Sequence, residues 1–220
     1  MMFVVPELLS GERVAKMRSL LAEAEWSDGK LTAGWHAKDV KLNRQLEAKQ
    51  ATAEKLVGQV REAALAHPLF KAAARPRKLH TVRFNCYEPG MSYGRHTDDA
   101  LMHGGRSDLS FTLFLSEPES YEGGELVVEG LDSERAYKLP AGSMIVYPSS
   151  SLHRVDAVTS GVRWAAVGWL ESWVRSEEQR ELLFELDTAR RLLYKKHGKT
   201  DEFDLISKSL SNLLRQWMES

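Results

Sequence analysis

The sequence predicts an α+β protein in which an antiparallel β-sandwich or jelly roll is flanked by helices. The first observation is a series of short apolar or alternating runs between Leu79 and Leu170, separated by turns that contain glycine or proline. Repeated short strands of this kind are typical of sandwiches and jelly rolls. The second observation is that the segments on both sides of this region carry apolar residues at helical spacing. We therefore expect a β core with helices packed outside it.

Two helices are predicted before the β core. Ser10 is a suitable N-cap for the first, which ends before the turn at residues 27–29. The second helix runs from about 51 to 66 and is interrupted by the His67-Pro68 pair. The apolar stripes consist of Val14, Met17, Leu21 and Ala24 in the first helix and Leu56, Val57, Val60 and Ala64 in the second. Both helices are interpreted as scaffold.

The strand predicted from Leu79 to Tyr87 has two different faces. Its apolar face carries Val82, Phe84 and Cys86, and its more polar face carries Thr81, Arg83, Asn85 and Tyr87. We expect the polar face to look into a functional site; the alternative is that Tyr87 only fills the barrel. Further strands are predicted at 109–115, 125–129, 143–147 and 163–170, with a hairpin at 131–140.

After Trp173 the sequence becomes strongly helical. Ser176 and Gln179 form a capping-box pattern, and the apolar stripe that follows continues until His197-Gly198. A last helix carries a second stripe. We therefore divide the chain into a jelly-roll domain with its N-terminal helices, 1–175, and a helical extension, 176–220. The extension either covers the barrel or buries its stripe against another subunit, which makes a homo-oligomer.

Composition limits the partners and the compartment. The formal net charge is -1, so there is no basic excess for nucleic acid or for an anionic membrane. The single cysteine, Cys86, excludes an internal disulfide, fits a reducing compartment and is interpreted as a structural thiol. The apolar N-terminal run is too short to span a membrane and lacks the features of a signal peptide. We expect a cytoplasmic protein without a nucleic-acid or membrane partner.

The stretch from Tyr87 to Asp99 suggests a metal site. His96 and Asp98 lie two residues apart, which places both side chains on one face of an extended segment. His153, which follows an apolar strand, is the best third ligand. Two imidazoles and one carboxylate leave open positions on the metal, an arrangement typical of non-haem Fe(II) oxygenases. The His-x-Asp pair alone is weak evidence, because such pairs arise often by chance.

Arg163 begins the strand at 163–170 and shares a face with Ala165 and Val167. A guanidinium beside small side chains suggests a pocket for a carboxylate, which arginine holds by two parallel hydrogen bonds. The alternative is an ordinary surface arginine.

Two connecting segments are candidates for a substrate entrance or lid. Residues 31–46 have no clear periodicity, and they form either a substrate entrance or an ordinary surface connection. Residues 100–107 contain Gly104-Gly105 and are interpreted as a mobile flap. His36 and His103 lie in these segments and are not included among the metal ligands. The Gly123-Gly124 pair is interpreted as a tight turn before a strand, not as a phosphate-binding loop.

These motifs together resemble the Fe(II)- and 2-oxoglutarate-dependent dioxygenases, and among them the PKHD-type hydroxylases. The resemblance covers nearly the whole chain. It rests on Arg83-Phe84-Asn85, Tyr87, Gly90-Met91, His96-Thr97-Asp98, the run from Tyr121 to Leu126, Gly142-Ser143-Met144, the run from Tyr147 to Val155, and Arg163. A weaker echo lies at Ala33-Gly34, Val40-Lys41, Asn43 and Gln45-Leu46.

The resemblance implies a double-stranded β-helix (jelly roll) core with flanking N-terminal helices and a C-terminal helical extension. It implies that His96, Asp98 and His153 bind Fe(II) and that Arg163 binds the distal carboxylate of 2-oxoglutarate, with Tyr87 and Asn85 as cosubstrate neighbours. It also implies O2 as oxidant, L-ascorbate as a reductant that restores ferrous iron, hydroxylation of a substrate that the sequence does not identify, and a link to iron uptake.

Other classes of function remain open at this point. One is a jelly-roll metalloprotein of different chemistry, such as a zinc hydrolase or an oxygenase that does not use 2-oxoglutarate. Another is a ligand-binding module with a structural metal. The presence of Arg163 at the matching distance from His153 disfavours both.

Overall fold

The computed structural model describes residues 1–32, 34–35, 37–102 and 104–219. The helices are α1 (Gly11–Ala22), α2 (Ala51–Ala66), α3 (Pro68–Ala74), α4 (Glu177–His197) and α5 (Asp201–Trp217). The strands are β1 (Phe3–Val5), β2 (Trp26–Asp28), β3 (Lys41–Leu42), β4 (Arg44–Leu46), β5 (Pro76–Tyr87), β6 (Ser92–His96), β7 (Leu101–Met102), β8 (Gly105–Arg106), β9 (Leu109–Phe114), β10 (Tyr121–Gly123), β11 (Leu126–Glu129), β12 (Glu134–Tyr137), β13 (Met144–Pro148), β14 (His153–Val155), β15 (Val158–Gly161) and β16 (Arg163–Ser172). Short 3-10 turns occur at Gly29–Thr32, Ala37–Asp39 and Pro118–Ser120.

Two antiparallel sheets form the core. The larger has the strand order β1-β13-β9-β16-β5-β4-β2, and the smaller has the order β12-β11-β14-β6-β3. Side chains from both sheets meet in one buried cluster, so the sheets pack face to face. The members of this cluster are Tyr87, Phe114, Leu126, Val128, Ile145, Tyr147, Val155 and Val158. This arrangement confirms the predicted jelly roll.

The outer face of the larger sheet is covered by α1, α2 and α3. Their buried stripes join the apolar face of β5, where Val82 and Phe84 point away from the sandwich interior. The opposite face of β5 therefore points between the sheets, because successive side chains of a strand alternate. Cys86 is buried, as predicted, and burial raises the pKa of its thiol to about 11.

The C-terminal helices α4 and α5 pack against each other. Leu183 and Leu210 are buried between them together with Val174, and Leu186, Leu213, Leu214 and Trp217 surround this small core. Ser176 caps α4 by accepting a hydrogen bond from the backbone N–H of Gln179, as the capping-box pattern predicted. The predicted stripes are thus buried, at least in part, within the chain itself.

Two elements differ from the predictions. β1 was not predicted, and neither was α3, because Pro68 was interpreted as a helix breaker whereas it occupies the first turn of a new helix. In the segment 100–107, β7 pairs with β8, and a flap formed by this segment stays a prediction. The segment 31–46 contains 3-10 turns and the strands β3 and β4.

None of the helices in the described ranges is both long and apolar enough to cross a bilayer.

Candidate active site

The two predicted histidines lie opposite each other in the smaller sheet. His96 is the last residue of β6, and it pairs in register with His153, the first residue of β14. Asp98 lies just beyond the end of β6. The strand therefore ends at His96 and does not include Asp98, although the sequence suggested an extended segment that contains both residues. One ligand atom from each of the three residues can be chosen so that all lie within 4.8 Å of one another. The three predicted ligands are therefore close enough to hold one metal ion.

Both imidazoles are oriented by their backbone. His96 Nδ1 lies 2.8 Å from the carbonyl oxygen of Gly94, and His153 Nδ1 lies 3.0 Å from that of Ser151. A carbonyl oxygen only accepts, so each Nδ1 carries the proton and each Nε2 has a free lone pair. Burial lowers the pKa of His96 to about 4, and the neighbouring His153 lowers it as well. His96 is therefore neutral at pH 7, the state in which imidazole binds metal.

A chain of serine hydroxyls supports the carboxylate of Asp98. Ser110 Oγ donates to Asp98 Oδ2 at 2.6 Å. Ser110 Oγ lies 2.8 Å from Ser149 Oγ, which lies 2.9 Å from Ser107 Oγ. The same Oδ2 atom is 3.8 Å from Nε2 of His153. The carboxylate is thus held toward the two imidazoles by a side chain of the opposite sheet.

Arg163 lies deeper between the sheets. It begins β16, pairs in register with Tyr87 of β5 and is 1% exposed. Its guanidinium lies 5.1 Å from the centroid of the Tyr87 ring, and its Nε atom is buried without a hydrogen-bond partner among the described residues. No Asp or Glu oxygen of those residues lies within 4.0 Å of it. A buried guanidinium without a carboxylate fits an anionic group of a bound molecule.

The Gly123-Gly124 pair makes room for this arginine. Both glycines have positive φ angles, and a Cβ atom on Gly124 would lie 3.0 Å from Cδ of Arg163. On Gly123 a Cβ atom would lie 2.1 Å from the carbonyl oxygen of Ala157. The pair therefore needs the conformational freedom and the missing side chain of glycine where β10 leads into β11, beside the buried guanidinium.

A cavity of about 260 Å³ joins the histidine pair to Arg163. Asn85 and Tyr87 line it, as predicted from the polar face of β5. Asn85 Oδ1 accepts a hydrogen bond of 2.8 Å from Nε2 of Gln45 on the neighbouring strand β4. Gln45 Oε1 in turn accepts a hydrogen bond from Thr32. Hydrogen bonds thus connect Thr32, Gln45 and Asn85 along one wall of the cavity, and the first two of these residues belong to the segment 31–46.

The cavity residues that were not identified as functional from the sequence include Ser110, Lys41 and Arg83. Arg83 follows from the alternation that placed Asn85 and Tyr87 on the inner face of β5. Burial lowers the pKa of Lys41 to about 8, Arg83 lowers it as well, and Asp98 and Asp28 raise it. Lys41 belongs to the weaker echo at Val40-Lys41, but its segment has no periodicity that would indicate its burial. His36 and His103, which were not included among the ligands, lie outside the described residues.

The chemistry of the donor set fits a redox-active metal with open positions. Two imidazoles and one carboxylate would leave coordination positions of a metal free. The three residues line a cavity that also contains the buried Arg163. A structural zinc site is instead closed by four protein ligands. Fold and site together define the class of non-haem iron oxygenases.

The comparisons with known proteins agree with this class. The model of the 2OG-Fe(II) oxygenase superfamily matches residues 82–171, and that of the PKHD-type hydroxylase C-terminal domain matches residues 177–219. PKHD-type hydroxylases of Picosynechococcus sp. and Acaryochloris marina are 58% and 59% identical over 219 residues, covering 100% of this chain and of each relative. The chain belongs to the PKHD-type hydroxylases of this superfamily. It is a 2-oxoglutarate-dependent iron dioxygenase.

Solved structures agree on the fold alone. A prolyl hydroxylase from Trichoplax adhaerens, in complex with a peptide fragment of hypoxia inducible factor, matches with a TM-score of 0.60 and 11% identity. The match covers 83% of this chain and 86% of that one. A prolyl-4-hydroxylase from Pseudomonas putida matches with a TM-score of 0.53 and 22% identity, over 78% of this chain and 92% of that one.

Proposed function

We propose that this protein couples the oxidative decarboxylation of 2-oxoglutarate to the hydroxylation of a substrate. The observation that carries the proposal is the single cavity that His96, Asp98, His153 and Arg163 share. In the proposal the first three residues hold Fe(II), and Arg163 holds the distal carboxylate of the cosubstrate. Bound Fe(II) supplies the activation of O2 that the reaction requires.

The residues around the proposed metal position orient the ligand side chains and bind the cosubstrate. The backbone carbonyls at Gly94 and Ser151 fix the two imidazoles, and Ser110 fixes the carboxylate of Asp98. Arg163 pairs with a carboxylate in a region that is closed to water, where a charge-assisted hydrogen bond is strong. Tyr87 covers the guanidinium, and Asn85, held by Gln45, lines the same wall. We assign Tyr87 and Asn85 to the cosubstrate side of the cavity.

The test is the formation of succinate from 2-oxoglutarate with Fe(II) and O2. We expect His96→Ala and Asp98→Ala to abolish it, because each removes one of only three protein ligands. His197→Ala at the end of α4 is the matched control, since it removes an imidazole far along the chain from the cavity residues. Full succinate formation by both ligand variants would overturn the assignment.

Four finer proposals accompany this one. Ascorbate restores ferrous iron after turnover without substrate, as the resemblance implies. The chain divides into 1–175 and 176–220, which the separate family match at 177–219 supports.

Homo-oligomerisation through the C-terminal helices stays a prediction that sedimentation can check. The link to iron uptake also stays a prediction.

A further inference from the structure

Two cations of the cavity lie away from Arg163 and have no role in the proposed reaction. Lys41 of β3 is 4% exposed, and Arg83 of β5 is half-buried. No Asp or Glu oxygen of the described residues lies within 4.0 Å of either one. Lysine is rarely buried to this degree without an ionic partner, because burial removes the hydration of its ammonium group.

The two cations converge on one residue from opposite sheets. Lys41 Nζ lies 3.3 Å from the hydroxyl of Thr32, and Arg83 Nη1 lies 3.2 Å from its carbonyl oxygen. Each also lies over an aromatic ring, Lys41 at 5.1 Å from the centroid of Tyr93 and Arg83 at 5.5 Å from that of Trp169. Two like charges thus contact one residue, and the carboxylates that act on them, Asp98 on both, Asp28 on Lys41 and Asp99 on Arg83, do so from beyond 4.0 Å. An anion in direct contact with both cations would therefore be favourable.

This place differs from the proposed carboxylate anchor for 2-oxoglutarate. Arg83 and Tyr87 face the same side of β5, and the rise of an extended strand separates them by about 13 Å. Arg163 pairs with Tyr87, so it lies at the opposite end of the cavity from Arg83. The Tyr93 ring beneath Lys41 stacks on His96 with 3.7 Å between the ring centroids. The cation pair therefore lies close to the proposed metal but away from Arg163.

The net charge of the cavity also favours an anionic ligand. Its described lining contains three cations, Lys41, Arg83 and Arg163, and two carboxylates, Asp98 and Asp99. Fe(II) and the doubly negative 2-oxoglutarate cancel each other, so one positive charge remains after both are bound. A singly charged carboxylate balances it, whereas a neutral substrate leaves it uncompensated.

We propose that Lys41 and Arg83 together bind a carboxylate group of the substrate, so that the enzyme hydroxylates an organic acid. This inference rests on the proposed function, because it assigns the remaining space beside the metal to the substrate. Lys41 has one hydrogen bond to the protein among the described residues and so keeps donors for an anion. Arg83 offers the planar donor arrangement that matches a carboxylate.

The test compares butyrate with butyramide, which differ in charge but little in shape. The protein is loaded with Mn(II), a redox-silent substitute for Fe(II), and with saturating 2-oxoglutarate. The relaxation enhancement of the probe's protons by Mn(II) then reports binding beside the metal, and the 2-oxoglutarate signals report whether the cosubstrate stays bound. We expect butyrate to bind about tenfold more tightly than butyramide, the gain from one charge-assisted hydrogen bond at a buried site.

The variants are Lys41→Met and Arg83→Met, which keep much of the side-chain volume without the charge. We expect each to lose the preference for butyrate while 2-oxoglutarate stays bound, and Arg83→Lys to keep part of it. Arg44→Met is the matched control, because Arg44 is exposed, pairs with Glu88 and does not line the cavity. It should keep the full preference.

The outcomes separate this inference from the function on which it rests. If Mn(II) and 2-oxoglutarate bind but wild-type protein does not distinguish butyrate from butyramide, the inference alone is overturned. The same holds if butyrate displaces 2-oxoglutarate, or if both Met variants keep the preference. If wild-type protein binds neither Mn(II) nor 2-oxoglutarate, the proposed function fails and the inference fails with it.

Discussion

Ser110 shows how a single hydroxyl can position a metal ligand. It is 1% exposed, and its hydrogen bond of 2.6 Å reaches Asp98 from β9 in the opposite sheet. Asp98 lies beyond the end of its own strand, so its position is not set by the sheet pairing that aligns His96 and His153. The hydrogen bond from Ser110 therefore fixes the position of the Asp98 carboxylate, which strand pairing does not fix.

Ser110→Ala is expected to weaken metal binding without removing a proposed ligand. Loss of a hydrogen bond that orients a ligand typically costs about 10–100-fold in metal affinity. Anaerobic Fe(II) titration measures the change. Ser116→Ala is the matched control, since Ser116 is equally buried but does not line the cavity. Its hydroxyl donates to the carbonyl of Val162 and accepts from the backbone N–H of Trp164. Equal Fe(II) affinity in wild type and Ser110→Ala would show that the hydroxyl is not needed for positioning.

The residues of the site differ in how far the sequence could predict them. His96, Asp98, His153 and Arg163 belong to motifs with a recognisable spacing, and the structure brings all four to one cavity. Ser110 and Lys41 have no such spacing, because each reaches the site through pairing between distant strands. Their roles depend on long-range contacts that local sequence does not encode.

At the scale of elements, α5 is held by one deeply buried side chain. Leu210 is 4% exposed and packs with Leu183 and Val174, whereas Leu205 on the same helix is 63% exposed. The same residue type therefore occupies a buried and an exposed position on one helix.

Leu210→Ala is expected to lower the free energy of unfolding by about 2–5 kcal/mol, the usual range for removing a buried leucine. Leu205→Ala should change it by less than about 0.5 kcal/mol, since surface substitutions have small effects. Urea denaturation followed by circular dichroism measures both. Equal effects of the two substitutions would mean that α5 does not pack on α4 as described.

The elements were predictable where they bury one regular face. The apolar residues of α1, α2, α4 and α5 recur with the period of a helix. Along β5, apolar residues alternate with the polar residues that include Asn85 and Tyr87. β1 was missed because its strand character depends on pairing with β13, which is far along the chain. α3 was missed because proline ends helices in their interior but is favoured in their first turn.

At the scale of the whole molecule, two packed sheets place three kinds of group along one cavity. Arg163 lies at one end, the His96, Asp98 and His153 cluster lies along the smaller sheet, and Lys41 and Arg83 converge at Thr32. The helices α1, α2 and α3 cover the outer face of the larger sheet, and the cavity lies between the two sheets, lined by polar, charged and apolar side chains. The proposed dioxygenase activity requires Arg163 to anchor the cosubstrate beside the metal.

The most direct measurement is an anaerobic titration of the apoprotein with Fe(II) and then with 2-oxoglutarate, followed by the visible charge-transfer band of the chelated complex. We expect the band in wild type, and we expect Arg163→Met to bind Fe(II) normally but to need at least about 30-fold more 2-oxoglutarate, because it removes one partner of a buried charge pair. Arg44→Met should behave as wild type. Absence of the band in wild type, or unchanged 2-oxoglutarate affinity in Arg163→Met, would contradict the account.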